Sequence, residues 1–154
     1  LPEARFKIYG DGSQKNELLQ YSKIIGISDK VSFMGFIEDV SLAYASADIM
    51  IFLSKFESFG NVVIECLSYG VPVLCSDIPS LREILTDYPD FIVPLNETLF
   101  TVIRNRLRHY EYLSQLAQKA KFEVLSKYSL ERHVEQLLEV YRLFDPSVGS
   151  LKSS

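Results

Sequence analysis

Short apolar runs alternate with helical stretches through the first two-thirds of this chain, and that alternation permits few folds. Residues 6–9 read as a strand that stops at Gly10. Residues 15–25 follow as a helix with Leu18, Leu19, Ser22 and Ile25 on one face. Gly26 closes it, because glycine accepts the left-handed conformation found beyond helix ends. Residues 31–34 form the next strand, which stops at Gly35, and a short helix over 38–45 leads out of it. Residues 47–53 are almost wholly apolar, as a strand covered on both faces must be. Residues 61–69 read as a helix capped by Asn61, ended by Gly70 and barred from continuing by Pro72. A buried strand over 73–75, a helix over 81–85 and a last strand over 91–93 complete the alternation.

From Glu97 the pattern turns helical, over 97–108, 110–127 and 130–144. Strands that alternate with helices argue for an α/β fold: a Rossmann-like parallel sheet flanked by helices, here with a helical C-terminal segment. One domain is expected over 1–145, with a flexible tail over 146–154. A chain of 154 residues can bury a core without staples. The net charge of −4 gives no basic field, which excludes nucleic acid as a partner on charge. No run approaches the roughly 18 apolar residues of a membrane span. The first residues lack a signal-peptide pattern and an initiator Met, so the chain is expected to be a fragment of a longer one. Cys66 and Cys75 sit among apolar neighbours and read as buried thiols in a reducing compartment.

In an open parallel sheet, ligands settle beyond the carboxyl ends of the strands. The segments there are Gly10-Asp11-Gly12, Gly35-Phe36-Ile37, Ser54 to Gly60, and Ser76-Asp77. Most informative is the stretch from Ser54 to Glu65, which runs from a buried strand through a glycine-bearing loop into a helix. Free amides at a helix start attract anions. Gly60 removes a side chain where a phosphate would approach the backbone, so Phe59, Gly60, Asn61 and Val62 can cradle a diphosphate. Glu65 lies about 6 Å into the helix, at about 1.5 Å per residue, which is the reach from a phosphate to its ribose. A carboxylate accepts from two neighbouring hydroxyls. Glu57, in the loop, can reach the sugar beyond the phosphates.

Two glutamates eight residues apart, with Phe-Gly between them and an apolar helix after, form an E-x7-E pattern. It resembles the signature of retaining glycosyltransferase family 4, which has the GT-B fold. Gly10-Asp11-Gly12 resembles that family's glycine-rich turn, and Val31 to Phe36 its V-x-F-x-G strand end. Ala47-Asp48-Ile49 with Leu53-Ser54, Gly70 to Asp77, and Ser129-Leu130-Glu131 resemble further segments in the same order. The likeness runs over about residues 5–144.

The resemblance implies a hexosyltransferase working with retention, in which this chain is the donor-binding, C-terminal domain. Glu57 would be the catalytic residue facing the donor sugar, and Glu65 would hold the ribose. The Phe59, Gly60, Asn61 and Val62 backbone would hold the diphosphate. Phe36 and Ile37 would lie near the base, and Gly10, Asp11 and Gly12 would line the cleft. The partner would be a UDP- or GDP-linked sugar, with no metal and no cofactor. The family's N-terminal acceptor domain, and the strand and helix that carry its Arg and Lys clamp, are not in this sequence, so the chain alone is expected to be inactive. Polysaccharide biosynthesis, in the cytoplasm and in peripheral contact with the inner membrane face, is the family-level expectation. Alternatives are a non-catalytic nucleotide-binding subunit, or a nucleotide-sugar epimerase or phosphorylase on the same fold.

Other polar residues carry plainer readings. Asp11 and Asp77 shape turns beside the strands, and Lys55 and Arg82 are surface charges. Arg104, Arg106, Arg108 and His109 read as a solvated face, and His109 and His133 have no metal-ligand pattern around them. Ser58 lacks a nearby base and is no nucleophile. Tyr110, Tyr112, Leu113 and Leu116 are expected to face the core.

Overall fold

The computed structural model describes residues 3–145, so the tail expected over 146–154 lies outside the described residues. The chain forms two compact units, the first ending at Ala43 and the second beginning at Tyr44. In the first, β1 (Phe6–Tyr9) and β2 (Val31–Gly35) pair in parallel, joined by α1 (Lys15–Ile24). Phe6 stands opposite Val31 and Ile8 opposite Phe33. The Gly10 amide then donates to the Gly35 carbonyl at 2.8 Å. Both glycines hold positive φ, 114° and 72°, which lets the two strands end side by side.

The helix α1 stops one residue before the expected end. Gly26 N–H closes back on the Lys23 carbonyl and leaves Ile25 outside the helix. Of its expected inner face only Ser22 is buried, while Leu18 and Ile25 stay exposed. α2 (Ser41–Ala45) starts three residues later than the pattern suggests, because the Asp39 carboxylate accepts the Ser41 amide at 2.9 Å and turns the chain there.

The second unit is built on a parallel sheet of order β3–β4–β5, made of β3 (Met50–Phe52), β4 (Val73–Ser76) and β5 (Ile92–Val93). α3 (Asn61–Ser68) and α4 (Pro79–Ile84) are its crossovers. The apolar run over 47–53 supplies only three paired residues, since its register with β4 extends from Met50 opposite Val73 to Phe52 opposite Cys75. Central β4 is buried at every position. Pro79 opens α4, two residues before the expected start, because its fixed φ suits the first helical position and needs no amide partner. The expected last strand is divided: Pro89–Phe91 is a 3₁₀ turn, and only Ile92–Val93 pairs.

The helical C-terminal segment consists of α5 (Leu99–Arg108), α6 (Tyr110–Lys127) and α7 (Leu130–Phe144). α6 packs along α3. Val63, Cys66 and Leu67 from α3 are fully buried, as are Leu113, Ala117 and Ala120 from α6. Each large apolar side chain so covered contributes about 1.5–3 kcal/mol. Gly70 ends α3's cap at φ 74°, and its carbonyl accepts the Gln118 amide of α6 at 3.2 Å. Both cysteines are free and buried, which pushes their thiols up to about 12.

Two expectations for the helices need correction. Tyr112 is half exposed rather than core-facing; its hydroxyl donates to Asp90 at 2.7 Å, a partner 22 residues away. Arg106 is not a free solvated charge, because it pairs with the same Asp90.

Candidate functional site

The loop after β3 and the start of α3 carry the glutamate pair. Gly60, not Asn61, occupies the cap position of α3, at φ 103°, and no side chain caps the helix. The φ of 103° suits glycine at that residue, and Asn61 beyond it is already the first helical residue, where its side chain no longer takes the cap position. The amides of Asn61 and Val62 therefore belong to the first turn, ahead of Val63 N–H, which bonds the Gly60 carbonyl at 2.9 Å.

The absent side chain at Gly60 has a packing cause. A Cβ there would stand 2.6 Å from Leu81 Cδ2 and 3.0 Å from Ile84 Cδ1. The glycine thus lets α4 press against the loop, which fixes where the α3 amides begin. Ser80 of α4 reinforces this by donating to the Glu57 carbonyl at 2.8 Å. The Glu57 carboxylate turns back toward its own loop, where Oε1 receives the Phe59 amide over a long 3.4 Å. Phe56, Glu57 and Ser58 line an open hollow of about 400 Å³. Phe56 is 90% exposed, and Phe59 sets its ring edge-on to Tyr128 at 6.0 Å.

Glu65 is exposed, one turn along α3, and its Oε2 accepts the Tyr44 hydroxyl at 3.0 Å. Burial, with the neighbouring Glu65 charge, holds the Tyr44 phenol well above its ordinary value, so it stays a donor. Sequence reasoning missed Tyr44. It lies 21 residues from Glu65 on another element, and no local pattern marks it.

Of the two strand-end aspartates only Asp11 bonds a neighbouring backbone amide, that of Gly12. Asp77 pairs with Arg82, whose hydrogen bond holds the carboxyl below its usual range. Arg82 is thereby committed to that aspartate, while Lys55 is exposed. A larger hollow of about 730 Å³ lies between Asp90, Asn105, Arg106, His109 and Tyr112. Within it Arg106 pairs with Asp90.

The remaining expected site residues lie in the first unit. Gly10 and Gly35 are bonded neighbours, so the turn over Gly10, Asp11 and Gly12 leaves the sheet next to Phe36 and Ile37. Asp11 accepts the Lys15 ammonium at 3.0 Å and the Gly12 amide at 2.9 Å, and these hold its carboxyl below the usual range. Phe36 is 80% exposed.

Comparison with known proteins gives a consistent set of likenesses. The sequence model of the glycosyl transferases group 1 family matches residues 1–123. An uncharacterized glycosyltransferase of Methanocaldococcus jannaschii is 28% identical over 151 residues, or 95% of this chain and 39% of that protein. The N-acetyl-alpha-D-glucosaminyl L-malate synthase of Bacillus anthracis is 26% identical over 142 residues, or 90% of this chain and 37% of that protein. The chain thus spans less than half the length of these relatives. Among solved structures, Anabaena HepE in complex with UDP superposes with a TM-score of 0.81 at 21% identity, over 92% of this chain and 41% of that one. A glycosyltransferase from Rickettsia africae gives 0.81 at 22%, over 99% and 41%. At such identities the likeness is one of fold, and it bears out the Rossmann-like class with parallel sheets and flanking helices.

Proposed function

The chain belongs to the glycosyl transferases group 1 family, and on that premise we propose that it is the donor-binding part of an enzyme moving a sugar from a nucleoside-diphosphate sugar to a glycan or lipid acceptor with retention. The observation that carries this reading is the arrangement of Glu57, Gly60 and Glu65 around the start of α3. The Asn61 and Val62 amides, at the positive end of the helix dipole, take the diphosphate and stabilise it as it leaves. Glu65 takes the ribose hydroxyls, and Glu57 faces the sugar beside the open hollow. The UDP held by Anabaena HepE favours a uridine diphosphate donor over a guanosine one. The acceptor is bound by protein outside this chain, so the chain alone binds nucleotide without transferring sugar.

Calorimetric titration with UDP and with GDP tests the reading. One nucleotide binds, and Glu65→Ala weakens it about tenfold or more, the loss of a charged hydrogen-bond acceptor. Equal binding of both nucleotides by the variant and the unsubstituted chain would sink the assignment.

A further inference from the structure

Glu65 is an exposed carboxylate on a flexible side chain, and left alone it would sample several rotamers. Tyr44 restrains it. The Tyr44 ring is buried, with 8% of its surface exposed, so the phenol cannot swing away with solvent. Its ring lies 5.5 Å from that of Tyr69, tilted by 32°. Tyr69 follows Glu65 by four residues, so both lie along one side of α3 and its cap. Tyr44 is wedged along that side, with its ring against Tyr69 and its hydroxyl on Glu65 Oε2.

This contact leaves most of the carboxylate free. A carboxylate has about four lone-pair sites, and Tyr44 uses one. The other oxygen, Oε1, and a second site on Oε2 remain for incoming hydroxyls. A donor held on the buried side also orients the two oxygens before any ligand arrives, and pre-orientation lowers the ordering cost of binding.

We propose that Tyr44 is a positioning residue for the donor site, which fixes the Glu65 carboxylate in the orientation that receives the vicinal ribose hydroxyls. The proposal rests on the assignment of Glu65 to the ribose. It makes Tyr44 act through Glu65 and on the ribose alone, with no contact to the diphosphate or the sugar.

The test measures affinities of the 154-residue chain by calorimetry, or by nuclear magnetic resonance titration where binding is millimolar. The ligands are UDP, GDP and their 2′,3′-dideoxy analogues; the variants are Tyr44→Phe, Glu65→Gln and the double substitution. Tyr44→Phe keeps the ring and its packing, and circular dichroism checks that the variant folds. The expected result is a fall of about three- to tenfold in affinity for the preferred ribonucleotide, as for loss of one orienting hydrogen bond. Affinity for its dideoxy analogue stays unchanged. In the double variant Tyr44→Phe adds nothing beyond Glu65→Gln. Equal losses for ribose and dideoxy ligands, or no loss for either, overturn the positioning role while leaving Glu65 in place. If Glu65→Gln itself leaves ribonucleotide affinity unaltered, or if the unsubstituted chain binds neither nucleotide, the donor-site assignment fails and Tyr44 falls with it.

Discussion

The two units start from similar sequence patterns and reach different degrees of burial. Central β4 of the second unit is wholly buried, and Phe91, Leu81 and Leu113 around it have no exposed surface. In the first unit β1 is exposed at all four positions, with Phe6 at 50% and Ile8 at 41%. Both sheets are parallel, and both are fed by crossover helices. The second unit has α3, α4 and α6 to cover its sheet, whereas α1 buries only Ser22. Apolar strand residues therefore specify a strand in both places, but burial depends on whether enough helical surface is assembled over them.

The strongest challenge to this contrast is truncation of one large side chain in each unit. Phe91→Ala removes a fully buried ring and is expected to cost about 3–5 kcal/mol. Ile8→Ala is expected to cost less than about 1 kcal/mol, because much of that side chain already meets water. Urea denaturation of both variants measures the difference, and equal losses would show that the two side chains are equally covered. A finer version uses two glycines of positive φ. Gly60→Ala meets Leu81 and Ile84 as well as backbone strain, and about 3 kcal/mol of destabilisation is expected. Gly35→Ala has φ 72° and only the tip of Lys15 at 3.8 Å, so about 1 kcal/mol is expected, from backbone strain alone. Thermal melts of the pair rank the two surroundings directly.

The smallest effect concerns acid. Asp77 has its folded-state pKa lowered from 3.8 by the Arg82 hydrogen bond. A lowered carboxylate contributes stability that is full above the unfolded value and disappears as pH falls through the folded one. Asp77→Asn should therefore flatten the loss of stability below about pH 4, and leave the acid response of Asp11, in the first unit, as it was. Because the pair is exposed, the change is small. Denaturation midpoints measured from pH 6 to pH 2 read it.

Much of the fold was legible in the letters. The strand–helix alternation, the glycines at Gly10, Gly35 and Gly70, and the three C-terminal helices all follow from periodicity and punctuation. Boundaries were less so. Pro79 sets the start of α4 by its fixed φ, whereas Asp39 and Asn96 set those of α2 and α5 by accepting the Ser41 and Thr98 amides, each at 2.9 Å. Such side-chain bonds compete with helix formation over two or three residues, which a pattern spread over a whole helix cannot resolve. At the candidate site the E-x7-E spacing singled out the glutamates, but gave Gly60 a ligand-facing purpose where α4 packing also demands it.

The order of elements and the segment where a nucleotide sugar would be sought can be read from the letters alone. Those depend on spacing along the chain: apolar period, turn residues, and an acid one helical turn from a glycine. What each side chain touches follows from the packing of the folded chain. Tyr44 reaches Glu65, Tyr112 and Arg106 share Asp90, and Leu81 fills the space above Gly60. Each of those contacts joins residues at least 16 positions apart. Their partners are chosen by how helices pack on a sheet, which no local stretch of sequence records.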